Sequence, residues 1–178
     1  MVLDDEHYML LALAEAKKAY SLGEIPIGAV LVNNEDGTVV SAGYNLRESK
    51  RDATAHAEME AIRSACRSLN RWRLSGLTLY VTIEPCAMCA GALVNSRVDR
   101  LVYGSTESKF GAVESIFNIV NHKLLNHRMA VTAGVMEEEC RQLMKDFFKM
   151  RREQNRAKKA AEKAMGKAAE KSTPAGGS

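Results

Sequence analysis

Apolar residues recur at helical spacing in some segments of the chain and form short unbroken runs in others. Within residues 5–21, Tyr8, Ala12 and Ala19 lie at helical intervals, and Gly23 follows them as a stop signal. This pattern predicts a first helix that ends before Gly23.

Two β-rich runs follow this helix, at residues 28–33 and 38–43. The residues between them end in Asp36-Gly37, a dipeptide that is typical of a tight turn between antiparallel strands. The pattern therefore predicts a β-hairpin.

The rest of the chain alternates helical and strand-like segments. A second helix is predicted from about Ala55 to Leu69, and Thr54 is a suitable N-cap residue for it. The further predicted elements are a strand at 77–82, a helix at 86–95, strands at 100–104 and 129–134, and a long amphipathic helix from Glu137. Strands that alternate with helices after a hairpin imply a mixed sheet covered on both faces. We therefore expect an α/β protein, a three-layer α/β/α sandwich with a five-stranded mixed sheet.

Length and composition fit one domain with a tail. A chain of 178 residues, 46% of them hydrophobic, can bury a single substantial core. After about Arg156 the sequence is rich in Ala, Lys and Glu and lacks the large apolar residues that pack a core. We predict a catalytic domain over residues 1–156. We predict that the basic tail, residues 157–178, is a frayed helix or disordered.

The positive charge of the chain is concentrated near its C-terminus. From Arg151 onward there are eight basic and three acidic residues, a net charge of +5, whereas the whole chain carries +3. Such a distribution indicates contact with phosphate groups. A solvated helical tail that only aids solubility is an alternative explanation that composition leaves open.

Composition also bears on the cellular compartment. The N-terminus carries Asp4, Asp5 and Glu6 where a secretory signal needs positive charge, and no apolar run approaches the roughly 20 residues that span a bilayer. We therefore expect a cytoplasmic protein without membrane segments. Four cysteines are too few for a disulfide scaffold, so the Cys86-x-x-Cys89 pair indicates metal or redox chemistry.

Two short motifs carry the candidate chemistry. His56-Ala57-Glu58 lies at the start of one predicted helix, and Pro85-Cys86-Ala87-Met88-Cys89 at the start of the next, each after strand-like sequence. Functional groups of α/β sheets are presented at such helix N-termini. Cys86 and Cys89, one helical turn apart, can both bind one ion, to which His56 adds a nitrogen. Three protein ligands leave a fourth tetrahedral position open, which is typical of catalytic zinc.

A zinc ion in this position would make hydroxide available at neutral pH, because it lowers the pKa of bound water from 15.7 toward about 7. Glu58, two residues after the ligand histidine, is suited to shuttle protons as the general acid and base. Pro85, placed at the first position of its helix, would fix φ there and help to aim Cys86.

The combined pattern is more specific than either motif alone. A lone Cys-x-x-Cys also fits a thioredoxin-like redox pair or half of a structural zinc site. Neither the redox pair nor the structural zinc site requires a His-x-Glu motif at a helix start about thirty residues upstream. The pattern His-x-Glu followed by Pro-Cys-x-x-Cys is the known signature of zinc nucleobase deaminases.

Over about Asp4 to Arg156 the chain resembles the bacterial tRNA-specific adenosine deaminases, which belong to the cytidine deaminase-like superfamily. The segments that carry the resemblance are residues 25–30, 43–45, 56–58, 82–92, 125–128 and 146–152. The last two separate the tRNA branch from relatives that act on free bases. The resemblance implies a homodimer with one zinc ion per subunit, which converts the wobble adenosine of an arginine tRNA with an ACG anticodon to inosine.

The resemblance also implies roles for particular residues. Asn45 is expected to hydrogen-bond the flipped adenine, and backbone amides near Ala57 and Cys86 to hold the attacking oxygen. Asn126 is expected to meet the sugar or phosphate nearby. Further substrate contacts are expected from Ile27, Ile83 and Pro85 at the pocket and from Phe148, Arg151 and Arg152 on the last helix.

The loop at residues 104–111 departs from the family pattern, because many members have Asp where Glu107 or Ser108 stands. Lys109 in this loop is still expected to reach a phosphate, since anticodon backbone is bound largely through charge and stacking.

Two alternative functions stay open at this stage. A free guanine or cytidine deaminase would use the same zinc site without any tRNA. Residues 125–128 and the basic last helix argue against it. A non-catalytic RNA-binding subunit with a structural zinc would not need the proton shuttle Glu58.

Overall fold

The structure is a computed structural model that describes residues 4–172, with side chains described for residues 4–163. Strands and helices alternate along it as the sequence predicts. The elements in chain order are α1 (Asp5–Ser21), β1 (Gly28–Asn33), β2 (Val39–Tyr44), α2 (Arg47–Lys50), α3 (Ala57–Ser68), β3 (Leu77–Ile83), α4 (Ala87–Ser96), β4 (Arg100–Ser105), β5 (Ala130–Ala133) and α5 (Glu137–Ser172).

The five strands form one mixed sheet in the order β2-β1-β3-β4-β5. β1 pairs antiparallel with both β2 and β3, whereas β3, β4 and β5 run parallel to one another. The predicted hairpin and the predicted five-stranded mixed sheet are both confirmed.

Alternate residues of the central strands face two separate apolar clusters, because successive side chains of a strand point to opposite faces. Leu31, Leu79 and Leu101 pack in a cluster with apolar residues of α3 and α4. Val30 and Tyr80 pack on the other face with residues of α1 and with Cys140 in α5. Helices therefore cover both faces of the sheet, and the predicted three-layer α/β/α sandwich is confirmed.

Gly43 in β2 lies where the hairpin passes directly against the first turns of α3. A Cβ atom at this position would overlap the backbone carbonyl oxygen of Ala57 and the backbone nitrogen of Ala61. The absence of a side chain therefore sets how closely β2 approaches the start of α3.

Local details differ from the predictions at three places. Thr54 does not cap α3: its hydroxyl donates to Asp52, and the residue at the N-cap is His56. Pro85 precedes the N-cap Cys86 of α4, so it is not the first helical residue. The short helix α2 was not predicted, because four residues are too few to show a periodic apolar pattern.

The helix α5 continues without a break past residue 156 as far as Ser172. The chain divides into two compact units at Met144 and Lys145, within this helix. A functional boundary at residue 156 stays a prediction. The part of the tail beyond residue 172 lies outside the described residues.

No helix among residues 4–172 has the length and apolarity that a membrane span requires.

A partly buried ion pair links the start of α1 to the sheet, and it makes the stability of the fold depend on pH. Both guanidinium nitrogens of Arg100 donate to the Asp5 carboxylate, at 2.8 and 2.7 Å, and the Tyr80 hydroxyl donates to it at 2.9 Å. Partial burial raises the pKa of Asp5, but the Arg100 and Tyr80 hydrogen bonds outweigh it and the net pKa is lowered. This stabilisation is therefore present above pH 3.8 and is lost as the pH falls through the lowered pKa.

We expect Asp5→Asn to lower the free energy of unfolding by about 1–3 kcal/mol at pH 7, as for a lost charged hydrogen-bond partner. The difference from the wild type should shrink toward pH 3, below 3.8, because the unfolded chain binds a proton at Asp5 there more readily than the folded chain does. Urea unfolding at both pH values measures it, with Glu6→Gln on the exposed side of the same helical turn as the control. An equal difference at both pH values would contradict the assignment.

Candidate active site

The starts of α3 and α4 bring the two sequence motifs together. His56 and Cys86 are the N-cap residues of these helices, and neither side chain forms a capping hydrogen bond. His56 Nδ1 lies 3.7 Å from Cys86 Sγ and 3.6 Å from Cys89 Sγ. The ligand atoms of the three residues all lie within 4.8 Å of one another.

These separations fit a tetrahedral zinc site. With zinc bonds of about 2.3 Å to sulfur and 2.0–2.1 Å to nitrogen, a tetrahedral angle places nitrogen and sulfur ligands about 3.6 Å apart. The two observed nitrogen–sulfur distances, 3.7 and 3.6 Å, agree with that value. The donor set of one imidazole and two thiols is also one that zinc prefers.

The pKa values of the two thiols are shifted in opposite directions, which bears on whether the cluster can bind a cation. A hydrogen bond from Cys89 and a further one with His56 lower the pKa of Cys86 to about 4, against the opposing effect of burial. The pKa of Cys89 is raised, because its thiol bonds to Cys86 and is buried. The same contact with Cys86 raises the pKa of His56. A second thiolate in this cluster therefore requires a compensating positive charge.

Glu58 lies in the first turn of α3 and is 4% exposed. Burial is the main reason that the pKa of its carboxyl is raised, and the nearby Cys86 sulfur contributes in the same direction. The carboxyl also contacts Cys89 through a side-chain hydrogen bond. The structure thus places the predicted proton carrier directly beside the predicted ligands.

Asn45 follows β2 and is buried, at 5% exposure. Its side-chain nitrogen donates to Glu24 Oε2 at 3.4 Å and to the Ile25 carbonyl at 3.3 Å, and its backbone N–H donates to the Ile27 carbonyl at 3.0 Å. Because protein acceptors take the amide nitrogen, Oδ1 is the atom that Asn45 can offer to a hydrogen-bond donor.

Glu24 is a buried charge that the sequence analysis did not identify. It is 1% exposed and accepts the backbone N–H groups of Glu48 at 3.2 Å and Ser49 at 2.6 Å, besides the amide of Asn45. One carboxylate therefore fixes both the start of α2 and the side chain of Asn45. A lone acidic residue directly before the apolar Ile25-Pro26-Ile27 was the available signal.

The predicted pocket residues lie around the same helix starts. Ala57 is fully buried at the start of α3, and Ile83 is buried at the end of β3. Pro85 is buried immediately before the predicted ligand Cys86. Ile27, directly before β1, is partly buried and packs on the cluster that contains Leu31.

Glu84, between β3 and Pro85, is a second buried carboxylate that the sequence analysis missed. It accepts backbone N–H groups from Glu107, Val113 and Ser115, each at 3.0 Å, and the hydroxyl of Ser115. Burial opposes ionisation, but the backbone hydrogen bonds hold the pKa of Glu84 at about 2. This carboxylate anchors the loop after β4, residues 106–116, beside the predicted ligand Cys86, which bridges to Gly111.

We expect Glu84→Gln to lower the free energy of unfolding by about 3 kcal/mol, because a neutral amide cannot accept this set of N–H groups equally well. Amide hydrogen exchange in residues 113–115 should accelerate at the same time. Urea unfolding and exchange measurements test both effects, with the exposed Glu35→Gln as the control. A change within 0.5 kcal/mol would show that these N–H groups find other acceptors.

Two of the predicted RNA contacts lie on exposed loops of the same unit. Lys109 is exposed in the 106–116 loop, where its backbone N–H donates to Glu107 at 2.9 Å. Asn126 is exposed, and its Oδ1 accepts a hydrogen bond of 2.8 Å from Arg97. The side-chain nitrogen of Asn126 therefore remains the group suited to an acceptor such as a phosphate oxygen.

The remaining predicted RNA contacts lie in α5, within the second unit of the chain. Phe147 is 3% exposed and Phe148 is 42% exposed, and their rings meet edge to face at 5.6 Å between centroids. Arg151 and Arg152 are exposed. Of the two adjacent phenylalanines, Phe148 is thus the one available for stacking.

The fold and the site together define a class of enzyme. A mixed sheet that aligns His-x-Glu and Pro-Cys-x-x-Cys at two helix starts is the arrangement of the cytidine deaminase-like nucleobase deaminases. A family model described as MafB19-like deaminase matches residues 3–152.

Comparison with individual relatives shows to which family within this class the chain belongs. The tRNA-specific adenosine deaminase of Bacillus subtilis is 49% identical over 159 residues, which cover 89% of this chain and 96% of the relative. A solved structure from studies of A-to-I editing by tRNA:A34 deaminases at the wobble position of transfer RNA is 44% identical. It superposes with a TM-score of 0.73 over 77% of this chain and 98% of that one. The chain belongs to the tRNA-specific adenosine deaminase family within the MafB19-like deaminases.

A guanine deaminase from Bacillus subtilis is also similar in structure. It is 34% identical and superposes with a TM-score of 0.56, over 66% of this chain and 73% of that one. The same fold therefore also occurs in a protein whose name gives a free base, guanine, as its substrate.

Proposed function

We propose that the protein hydrolyses the wobble adenosine of an arginine tRNA with an ACG anticodon to inosine. The observation that carries this proposal is the cluster of His56, Cys86 and Cys89 with Glu58 beside it, in a chain of the tRNA-specific adenosine deaminase family. The net reaction adds water at C6 of the base, breaks the C6–N6 bond and releases ammonia.

His56, Cys86 and Cys89 would hold one zinc ion per subunit. When bound, zinc supplies Lewis acidity that makes a water molecule acidic enough to attack at neutral pH. The two sulfurs and the imidazole would hold the ion from two different helices, and three protein ligands would leave a position for a reacting water.

Glu58 would move the protons of the reaction. Its carboxylate accepts a proton from the attacking water, delivers one to the ring nitrogen next to C6 and passes another to the departing amine. The burial of Glu58 keeps its carboxyl away from bulk water, so that its protons go to the base.

Asn45 would also hydrogen-bond the base. Its Oδ1 accepts a hydrogen bond, and adenine presents its exocyclic amine as a donor, whereas guanine presents a carbonyl oxygen at the same position. Ile27, Ile83 and Pro85 would form the apolar wall of the pocket. Backbone amides near Ala57 and Cys86 would hold the attacking oxygen, as donors at the start of a helix can do.

The RNA around the base would be bound by exposed groups. Asn126 offers its side-chain nitrogen, and Lys109 its charge, to sugar or phosphate oxygens. Phe148 would stack on a flanking base, and Arg151 and Arg152 would bind the backbone near it. A target that already lies in a loop needs little unstacking, so these few contacts suffice to present it.

A free guanine or cytidine deaminase is the second candidate, because a guanine deaminase shares the fold at 34% identity. The experiment that separates the two is inosine formation on an arginine tRNA with an ACG anticodon, beside free adenosine, cytidine and guanine. We expect inosine in the tRNA and no turnover of the small molecules. Turnover of guanine without any reaction of the tRNA would overturn the proposed substrate.

We also propose that the protein is a homodimer and acts in the cytoplasm. Large apolar side chains on the segment after β4 are exposed and would suit an interface between subunits: Phe110, Ile116, Phe117, Leu124 and Leu125. All four cysteines are free thiols, as a reducing compartment requires. Sedimentation at equilibrium tests the dimer, and a monomer at micromolar concentration would exclude a stable one.

A further inference from the structure

The connection from α3 to β3 carries a basic and aromatic surface that the catalytic site does not use. The chain has no acidic residue between Glu60 and Glu84, although that interval contains four arginines. Three of them fall within residues 67–73, all seven of which are exposed. We call Arg67, Arg71, Trp72 and Arg73 the arginine–tryptophan surface.

The arginine–tryptophan surface is held in a defined conformation. Trp72 is 58% exposed, and the guanidinium group of Arg73 lies over its ring at 4.8 Å from the centroid. The backbone N–H of Arg71 donates to the Cys66 carbonyl at 3.1 Å, and Leu74, which follows directly, is fully buried. Because its backbone is tied down at both ends, the segment can present these side chains at little entropic cost.

No carboxylate within residues 4–163 neutralises the charges of this surface. Among the residues that the structure describes, Arg67, Arg71 and Arg73 form no ion pair with a carboxylate. The Asp99 carboxylate binds three residues beyond this segment, where it accepts the backbone N–H of Gly76 at 2.9 Å. The surface therefore offers three guanidinium groups and one indole ring to an external partner.

The surface lies at the end of the domain that is remote from the zinc ligands. α3 begins beside His56 and is 12 residues long, so its two ends lie roughly 18 Å apart. β3 ends just before Cys86 and has 7 residues, which span roughly 20 Å. The connection between these two elements is therefore roughly 20 Å from the catalytic centre. At 3.4 Å per stacked nucleotide this distance is about six nucleotides.

We propose that the arginine–tryptophan surface binds the substrate RNA outside its anticodon loop, an inference that rests on the proposed tRNA substrate. Guanidinium groups neutralise phosphates, and an exposed indole offers a face on which any base can stack. The pairing of three unneutralised cations with a planar ring favours nucleic acid over an acidic peptide, which would use the charges alone. Binding at this distance adds affinity for the whole tRNA without a contact to the reacting base.

The test compares two RNAs, an arginine tRNA and a hairpin that keeps its anticodon loop on a stem of only three base pairs. We expect Trp72→Ala to weaken binding of the tRNA at least about fivefold and to raise its KM without changing kcat. Arg71→Ala and Arg73→Ala should each weaken binding of the tRNA. Each should also reduce the slope of log Kobs against log salt by about 0.7 to 1. Binding of the short hairpin should stay within about twofold in all three variants.

The matched control is Lys17→Ala, which removes one exposed positive charge from α1 and should leave tRNA affinity unchanged. Unchanged tRNA affinity in the Trp72 and arginine variants would overturn the proposal. An equal loss of affinity for both RNAs would also overturn it, because the effect would then lie at the pocket. If the wild type binds the tRNA but deaminates neither RNA, the proposed function fails. The binding comparison still decides the role of the surface in that case.

Discussion

Glu58→Gln is expected to reduce the deamination rate by at least about a hundredfold, and up to about ten-thousandfold, while the protein keeps its metal. Glutamine has the shape of glutamate but cannot accept and return protons, and general acid–base catalysis contributes about that much to rate. The side chain is buried beside Cys89 without being required as a ligand, so the zinc content should stay at one ion per chain. Single-turnover inosine formation and metal analysis of the same preparation measure both quantities.

The control for Glu58→Gln is Glu60→Gln, which removes a carboxylate from the same turn of α3. Glu60 forms ion pairs with Lys50 and Arg63 on the outer side of that helix. Its loss should therefore change the rate by less than tenfold. If Glu58→Gln itself retains activity within tenfold of the wild type, another group moves the protons and the role given to Glu58 is wrong.

Cys86→Ala is expected to abolish both metal binding and turnover. It removes one of three protein ligands, and a zinc site with two ligands left loses most of its affinity. Because the ligands come from α3 and α4, the bound ion also links two helices and stabilises the fold. A chelator should therefore lower the Tm of the wild type and leave the Tm of the variant nearly unchanged.

Cys66→Ser is the matched control for the loss of one thiol. Cys66 lies in α3 outside the ligand cluster, and its sulfur contacts the Trp72 carbonyl at 3.9 Å. This variant should keep stoichiometric zinc and near wild-type activity. A Cys86→Ala protein that retained one zinc ion per chain and a chelator-sensitive Tm would contradict the ligand assignment.

The sequence predicts the main elements well because each of them leaves a periodic pattern. The first helix and the first strand of the hairpin have the predicted bounds, Asp5–Ser21 and Gly28–Asn33. The Pro-Cys-x-x-Cys motif could be assigned to a helix start because it follows the apolar strand β3, whereas α2 separates β2 from the His-x-Glu motif. The grouping of His56, Cys86 and Cys89 around one ion was predicted from the chemistry of these residues, and the structure brings their ligand atoms within 4.8 Å of one another.

The features that the sequence analysis missed depend on partners that are distant along the chain. Glu24 and Glu84 accept backbone N–H groups that lie 23–31 residues away, and such contacts leave no periodic signal. The cap assigned to Thr54 was wrong because Asp52 and Arg63 take its hydroxyl. The residue type favoured capping, but tertiary contacts decided the outcome.

The missing side chain at Gly43 links the geometry of the hairpin to the chemistry of the site. β2 touches the backbone of Ala57, whose two neighbours are the predicted imidazole ligand and the predicted proton carrier, whereas the two thiols belong to α4. A methyl group at position 43 would push half of the catalytic set away from the other half without removing any reacting group. The spacing of the predicted reacting groups thus depends on a strand that contributes none of them, and we expect a larger residue at position 43 to impair catalysis from behind the site.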